Sequence, residues 1–213
     1  MNRIDTAALT RRRAVDPGKI VLGSMNRGGL QGAGFAFDDR WTGYDADTLA
    51  SNGLDGGKML TRVCLEEEYT ATVLESSGRA VTALASRGLM AMVEPFLSVH
   101  VASDKVRNLL EPDSVIKSIQ IAAALGATSA YTWLKLPVVA EMHRVLDATT
   151  LPSLLLGGDP VGDADETYAQ WAEALTHPTA MGLVIGRALL YPAGDDVARA
   201  VDTAVGLVHQ GVA

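Results

Sequence analysis

The chain is poor in cysteine, histidine and aromatic residues. Cys64 is the single cysteine among 213 residues, which excludes a disulfide framework and a thiolate metal site. The four histidines are scattered without the spacing of metal ligands, so we predict no metal site. Aromatic residues make up 5% of a chain that is 48% hydrophobic. A core built largely from alanine, leucine, valine and glycine favours tightly packed βα units over a β-sandwich.

Long runs of positive charge and of apolar residues are also missing. The formal net charge is −7 and the isoelectric point about 5.0, with Arg11–Arg13 as the only basic run. Nucleic acid is therefore excluded as a partner. Residues 1–10 lack the apolar core of a signal peptide, and no apolar run is long enough to cross a membrane. We therefore expect a cytoplasmic protein with no membrane partner.

No P-loop, HExxH, GxSxG or dinucleotide-binding GxGxxG motif occurs in the sequence. Present instead is a regular alternation of short apolar segments and amphipathic segments with helical periodicity. Such alternation predicts an α/β fold with a parallel sheet covered by helices. The predicted strands are 19–25, 57–63, 89–97, 129–137, 151–158 and 181–188, and the predicted helices are 45–52, 67–87, 112–125, 139–148, 163–175 and 195–210.

The residues with chemical potential lie near the C-terminal ends of several predicted strands. That distribution favours a (β/α)₈ TIM barrel, whose active sites gather at this face, over a doubly wound sheet. We expect one barrel domain over residues 1–213, with 1–18 as an N-terminal helix or extension. Substrate selectivity is expected in two loops, 28–44 and 98–111.

Lys135 is the most informative of these residues. It lies near the end of an apolar strand, where alternation puts it on one face with Tyr131 and Trp133. A lysine in this position reaches solvent, pairs with a carboxylate, or works as a neutral amine in a cavity. The last possibility is Schiff-base chemistry, because desolvation or a neighbouring cation exposes the nucleophilic lone pair of a lysine.

Two further ionisable residues share the inward face of neighbouring strands. Glu94 lies on the third predicted strand, while Lys58 and Arg62 share a face of the second. We therefore expect Lys58, Glu94 and Lys135 to enter one cavity. A carboxylate between two amines can relay protons during carbinolamine formation and dehydration. A buried ion-pair network that ties adjacent strands together is an equally good interpretation.

Two strand ends have the composition of a phosphate site. The fifth predicted strand ends in Gly157 and Gly158, where bare backbone N–H groups can approach an anion. Gly186 and Arg187 end the sixth strand and add a guanidinium donor. Because the loops after the last strands of TIM barrels commonly bind phosphate, we predict a phosphorylated small-molecule substrate. The alternative is that these glycines only turn the chain.

In combination, five segments make the chain resemble the class I aldolases of the deoxyribose-phosphate and tagatose-bisphosphate aldolase superfamily. It looks most similar to the actinobacterial members found with inositol-catabolism genes. The segments are GLDGGKMLTRV, GLMAMVEPF, ATSAYTWLKLPVV, LPSLLLGGD and GLVIGRALLYP, in this order between Val21 and Gly206. The resemblance implies a TIM barrel, a homo-oligomer, and carbon–carbon bond cleavage through a lysine imine without metal or cofactor.

The resemblance also implies roles for individual residues. Lys135 matches the Schiff-base lysine, Glu94 an acid/base carboxylate and Lys58 a cationic site residue. Three strand-end residues match positions for phosphate and substrate binding, namely Gly157, Gly158 and Arg187.

One part of the family pattern is missing. Relatives begin the barrel with strands before segment 19–25, one of which carries an aspartate in an ADH- or DQR-like motif. No such motif occurs here, and only six strands are predicted. Roughly two N-terminal βα units of an eightfold barrel are therefore expected to be absent from the protein or from the sequence as given.

The leading prediction is a class I aldolase that cleaves a carbon–carbon bond in a phosphorylated sugar or keto-acid sugar derivative. The alternative is a degenerate or truncated barrel that binds a phosphometabolite without catalysis. A third possibility is barrel chemistry without an imine, such as acyl transfer between carbonyl compounds.

Overall fold

A computed structural model describes residues 20–26, 37–101, 105–157, 163–192 and 194–209. The predicted extension 1–18, the glycine-rich stretch 28–34 and Gly158 lie outside these described residues. In chain order the elements are β1 (Leu22–Ser24), α1 (Ala46–Ser51), β2 (Gly56–Val63), α2 (Tyr69–Ala85), β3 (Met90–Val101), β4 (Lys105–Asn108), α3 (Pro112–Ala123), β5 (Thr132–Pro137), α4 (Met142–Leu146), β6 (Ser153–Leu156), α5 (Ala164–Leu175), β7 (Ala180–Val184), α6 (Arg187–Leu190) and α7 (Val197–His209).

Six of the described strands form one parallel sheet in the order β1-β2-β3-β5-β6-β7. Strands that follow one another in the chain are therefore neighbours in space, and helices connect them, as the alternating pattern predicts. Among the described residues, β1 and β7 are the edges of this sheet. The α/β fold class with a parallel sheet is confirmed.

The seventh strand corrects the sequence prediction. Segment 98–111 was expected to be a selectivity loop, but β3 continues to Val101 and the chain returns as β4, antiparallel to it. Ser98 lies opposite Asn108 in this hairpin. The hairpin was missed because its residues are largely polar or charged and form no apolar run, the feature on which the strand predictions rest.

The helices begin and end where local chemistry directs. The Asp45 side chain accepts a hydrogen bond of 2.7 Å from the backbone N–H of Thr48, which caps the start of α1. Gly88 and Gly126, which follow α2 and α3, have φ angles of 64° and 78°. Because this left-handed region strains other residues, glycine ends both helices.

The core lies between the sheet and the helices. Alternate residues of β5 that face the helices, such as Leu134 and Leu136, are completely buried. On the helix side, Val81, Leu84 and Ile119 are also completely buried and belong to the same cluster. Each such side chain contributes about 1.5–3 kcal/mol to folding. This face holds the strands in register, so the opposite face can carry charged residues.

Candidate active site

Three neighbouring parallel strands direct charged side chains to the face of the sheet opposite the helices. Leu60 of β2 pairs with Glu94 of β3, and Val93 of β3 pairs with Leu134 of β5. Continuing that register places Glu94 beside Lys135. Lys58 lies two residues before Leu60, about 7 Å closer to the start of β2.

These three side chains contact one another. Lys135 Nζ donates a hydrogen bond of 2.9 Å to Glu94 Oε1, and Lys58 Nζ forms an ion pair with Glu94 Oε2. The side chains are 17%, 11% and 26% exposed for Lys135, Glu94 and Lys58. The Lys135 amine is therefore largely enclosed by the described residues and keeps a small exposed fraction.

The charge state of Glu94 follows from its surroundings. Burial acts to raise the pKa of this carboxyl, but the ammonium groups of Lys58 and Lys135 outweigh burial and hold the pKa below its usual range. Glu94 is therefore ionised at neutral pH and can accept a proton. The same carboxylate orients both amines, because each of its oxygens accepts one of them.

A second carboxylate lies beside this group. Asp39 is 9% exposed and accepts a hydrogen bond of 3.1 Å from Asn26 Nδ2. The Asn26 side chain also donates to the backbone oxygen of Leu60 at 2.7 Å and accepts from its N–H at 3.0 Å. In this way Asn26 continues the β1–β2 ladder with an amide side chain and ties Asp39 to the sheet.

The pKa of Asp39 is raised by burial to about 6, although the positive charges of Arg62 and Lys58 act to lower it. Three consecutive charged residues such as Asp38, Asp39 and Arg40 are typical of a solvated loop, and the sequence alone favours that interpretation. That expectation is wrong for Asp39, which is buried and hydrogen-bonded to Asn26. Asp38 does pair with the exposed Arg40, at 2.7 Å.

Arg62 extends the charged group toward the C-terminal end of β2. It lies four residues after Lys58, so its side chain leaves the same face of the strand. Its Nε donates a long hydrogen bond of 3.5 Å to Asn108 Oδ1 on β4. Burial lowers the pKa of the Arg62 guanidinium, while the carboxylates of Asp39 and Glu94 act to raise it.

The first of the predicted phosphate-binding residues, Gly157, already has structural contacts in the fold. Gly157 follows β6, and its N–H donates to the backbone oxygen of Val184 at 3.3 Å. A Cβ at this position would lie 2.6 Å from Cγ2 of Ile185, so close packing already requires a glycine here. Gly158 lies outside the described residues. A role for either glycine in phosphate binding stays a prediction.

The sequence suggested that Gly186 and Arg187 end a strand, but the structure places them after it. β7 ends at Val184, and Gly186 precedes the short helix α6, which begins at Arg187. Both residues are exposed. A Cβ at Gly186 would meet nothing within 4 Å, so packing does not explain this glycine.

Sequence reasoning missed the roles of Asp39 and Asn108 in the charged group, and it suggested for Asn26 only a place in a segment that could line the mouth of the site. Asn26 and Asp39 precede β2 in the chain and lie in polar segments that look like loops. Asn108 belongs to the hairpin that was not predicted. Only Arg62 had a visible signal, since it alternates in phase with Lys58.

The parallel α/β sheet is part of a TIM-barrel-type fold, and Lys58, Glu94 and Lys135 lie together on its inner face. The chain belongs to the Cgl0159-like family, which it matches over residues 9–205. The structure of Cgl0159 from Corynebacterium glutamicum is 52% identical and superposes with a TM-score of 0.86. That match covers 91% of this chain and 65% of the other, so the chain spans less than two thirds of the length of this relative.

More distant solved structures share the fold. An archaeal fructose 1,6-bisphosphate aldolase is 16% identical with a TM-score of 0.71, over 94% of this chain and 77% of the other. A Schiff-base-forming fructose-1,6-bisphosphate aldolase is 17% identical with a TM-score of 0.69, over 91% and 73%. These matches confirm the TIM-barrel-like fold class. No curated protein sequence matches the chain significantly.

None of the described helices is both long enough and apolar enough to cross a bilayer.

Proposed function

We propose that the chain is a class I aldolase that forms an imine at Lys135 and cleaves a carbon–carbon bond in a phosphorylated sugar or keto-acid sugar derivative. The observation that carries the proposal is the contact of Glu94 with two amines, one at 2.9 Å, on the inner face of three adjacent parallel strands. The Schiff-base-forming aldolases of the same fold support it as neighbours. Within the aldolases, we place the chain in the deoxyribose-phosphate and tagatose-bisphosphate superfamily.

The proposed reaction begins at the Lys135 amine. It adds to the substrate carbonyl to give a carbinolamine, whose oxygen leaves as water after it receives a proton, and a protonated imine remains. Glu94 accepts the proton that the amine loses and returns it to the departing oxygen. Its contact with Lys135 places the carboxylate within reach of both atoms.

Bond cleavage follows from the protonated imine. A base takes the proton of the hydroxyl group on the β carbon, the carbon–carbon bond breaks, and an aldehyde leaves. The bonding electrons pass into the imine to form an enamine. Protonation of the enamine and addition of water release the second carbonyl product and restore Lys135. The positive charge of Lys58 stabilises the oxygen atoms that gain negative charge.

The phosphate of the substrate is assigned to the ends of β6 and β7. Arg187 supplies a guanidinium at the start of α6, and Gly186 leaves open space beside it. Gly157 and Gly158 complete the predicted set at the end of β6. The proposed location is the cytoplasm, and the proposed assembly is a homo-oligomer.

Borohydride trapping tests the imine directly. The protein is mixed with phosphorylated ketoses, including fructose 1,6-bisphosphate, and with phosphorylated keto acids; borohydride then reduces any imine to a stable secondary amine. We expect one reduced adduct on the peptide that contains Lys135, located by mass spectrometry. Lys135→Met should abolish the adduct, whereas the same substitution at the exposed Lys117 on α3 should leave it intact.

The outcome that contradicts the proposal is also specific. If these compounds bind, as shown by calorimetry, and none gives an adduct at Lys135, the imine mechanism is wrong. That result would favour a barrel that binds a phosphometabolite without catalysis. Turnover that survives in Lys135→Met would instead favour carbonyl chemistry without an imine.

A further inference from the structure

The charged group on the inner face has more positive than negative side chains. Its members are linked by electrostatic interaction from β2 across to β5. They are three cations and two carboxylates: Lys58, Arg62 and Lys135 against Asp39 and Glu94. Glu94 is shared between the two lysines, and Arg62 interacts mainly with Asp39, so the group as a whole carries one excess positive charge. A site of this kind attracts an anion.

Arg62 has donor capacity that the protein does not use. Its Nη1 is covered from solvent and has no hydrogen-bond partner within the described part of the chain. Its Nε contact with Asn108 is 3.5 Å, at the outer limit of a hydrogen bond. A guanidinium presents five donors and matches phosphate and carboxylate oxygens in pairs. The side chain as a whole is only partly buried.

The side chain of Asn108 can supply further hydrogen-bond donors to an anion that binds at Arg62. Its Oδ1 accepts from Ser98 Oγ at 2.8 Å and from Arg62 Nε. Because Nε can only donate, the oxygen of the amide must be the atom that faces Arg62. The Nδ2 amino group is thereby left on the other branch of the side chain, where it has two N–H donors. Among the described residues, Nδ2 has no hydrogen-bond partner.

The pairing register of β2 and β3 sets the position of Arg62 relative to Lys135, where the imine is proposed to form. Arg62 pairs with Phe96, two residues beyond the level of Glu94. It therefore lies about 7 Å along the strand from that level, toward the C-terminal edge of the sheet. It is also on the β2 side of Lys135, whereas the predicted phosphate residues follow β6 and β7 on the other side.

We propose that Arg62 and Asn108 form an anion subsite that holds a second negatively charged group of the substrate, a phosphate or a carboxylate, on the opposite side of Lys135 from the ends of β6 and β7. This inference rests on the proposed function and narrows its substrate class. The substrate is doubly anionic, with one charged group at each end of its carbon chain. Lys135 attacks a carbonyl carbon that lies between the two groups.

The subsite is tested first without any imine chemistry. Inorganic phosphate is titrated into the isotope-labelled protein, while NMR follows the Arg62 guanidinium and Asn108 amide signals, assigned from the R62K and N108D variants. We expect both signals to shift and saturate together. R62Q and N108D should weaken this phosphate binding at least tenfold, and R62K should weaken it less. Saturating shifts elsewhere, with none at Arg62 or Asn108, would overturn the subsite.

A charge-matched control accompanies these variants. R62Q, N108D and R79Q each change the net charge by −1, but Arg79 lies on the outer surface of α2 and pairs with Glu75. R79Q should leave phosphate binding unchanged. If R79Q weakens binding as much as R62Q does, the effect is general electrostatics and the subsite is wrong. Thermal unfolding of each variant separates a local effect from misfolding, and R62K carries the test if R62Q does not fold.

The second measurement uses borohydride trapping with fructose 1,6-bisphosphate, fructose 1-phosphate and fructose 6-phosphate. Half-maximal trapping should need at least tenfold less bisphosphate than either monophosphate, and R62Q and N108D should reduce that preference to threefold or less. A purely structural role of Arg62 would weaken all three sugars equally and would contradict the inference. Absence of any adduct at Lys135 would count against the aldolase reaction, while the phosphate titration still decides the subsite.

Discussion

At the residue scale, the Glu94 carboxylate forms ion pairs with two ammonium groups, and its side chain is only 11% exposed. Removal of its charge leaves Lys58 and Lys135 close together without a counter-ion. Like charges in a partly enclosed site repel each other strongly, since the protein screens them less than water does. Both the stability of the sheet and the proposed proton transfer therefore depend on this carboxylate.

Glu94→Gln should reduce imine formation by about 10²–10⁴-fold, the usual loss when an acid/base group is removed. It should also lower the free energy of unfolding at neutral pH by about 1–3 kcal/mol. Because the folded-state pKa of Glu94 is depressed, its stabilising effect is present above the ordinary carboxyl pKa and is lost as pH falls through the lowered value. Urea unfolding at neutral and acid pH checks this, and equal stability of both proteins at neutral pH would contradict it.

Asp39 has the opposite dependence on pH. Its pKa is raised to about 6 in the folded protein, where it faces Lys58 and Arg62 on β2 and Asp38 on its own loop. The stabilisation by its neutral form is complete below the ordinary pKa near 4 and is lost as pH rises through about 6. Asp39→Asn should therefore be more stable than the wild type above pH 6, by about 1 kcal/mol, and should match it more closely in acid.

Urea unfolding between about pH 4 and pH 8 measures this difference. Asp38→Asn is the control, because Asp38 lies on the same loop but pairs with Arg40 at the surface. Sulfate, whose charge is constant in this range, should also bind near Arg62 more tightly below pH 6 in the wild type. A wild type and Asp39→Asn with parallel stability profiles would show that Asp39 is not the titrating group.

At the scale of elements, close contact between β2 and β3 depends on a missing side chain. A Cβ at Gly56 would lie 2.3 Å from the backbone oxygen of Met90, the residue with which it pairs. Backbone cannot move aside as a flexible side chain can. These two strands carry Lys58 and Glu94, so their spacing also sets the geometry of the site.

Gly56→Ala should lower the free energy of unfolding by about 1–3 kcal/mol, and it should weaken borohydride trapping because Lys58 and Glu94 move apart. Gly78→Ala is the matched control. Gly78 is inside α2, its nearest neighbour to an added Cβ is at 3.4 Å, and alanine is the better helix former. It should raise stability by about 0.5–1 kcal/mol. If thermal unfolding shows similar effects for both variants, the close approach does not matter.

Most elements were predictable because their patterns are local. The strand 57–63 was expected and β2 is Gly56–Val63; the helix 163–175 was expected and α5 is Ala164–Leu175. Asp163 caps α5 by accepting from the N–H of Asp165 at 2.9 Å, a signal that the sequence displays. The β3–β4 hairpin was not predictable in this way, because most of its residues are polar or charged and its valines form no apolar run.

At the scale of the whole molecule, apolar side chains remain exposed near the β7 edge of the sheet. Val197, Val201 and Val205 recur every four residues on α7 and are 38%, 37% and 50% exposed. Ala200 and Ala204 lie on the buried side of the same helix. A continuous apolar stripe of this kind promotes association between molecules.

Replacement of Val201 and Val205 together by lysine should change the free energy of unfolding by less than about 0.5 kcal/mol. It should reduce association that depends on protein concentration, as measured by sedimentation velocity. Ala204→Lys, on the buried face of α7, should by contrast destabilise the fold by at least about 1–3 kcal/mol. A large loss of stability in the valine variant would mean that the stripe is buried in solution. The homo-oligomer itself stays a prediction.

The sequence by itself determined the order of strands and helices, the parallel α/β class and the side of the strands on which Lys58, Glu94 and Lys135 lie. These properties follow from period-two and helical alternation, which depend on residues close together in the chain. Only the tertiary structure decided that Glu94 bonds to both lysines, that Asp39 is buried against Asn26, and that Asn108 meets Arg62. These contacts join residues from 13 to 46 positions apart. No local periodicity encodes them, because they depend on how strands pair and on where connecting segments fold back.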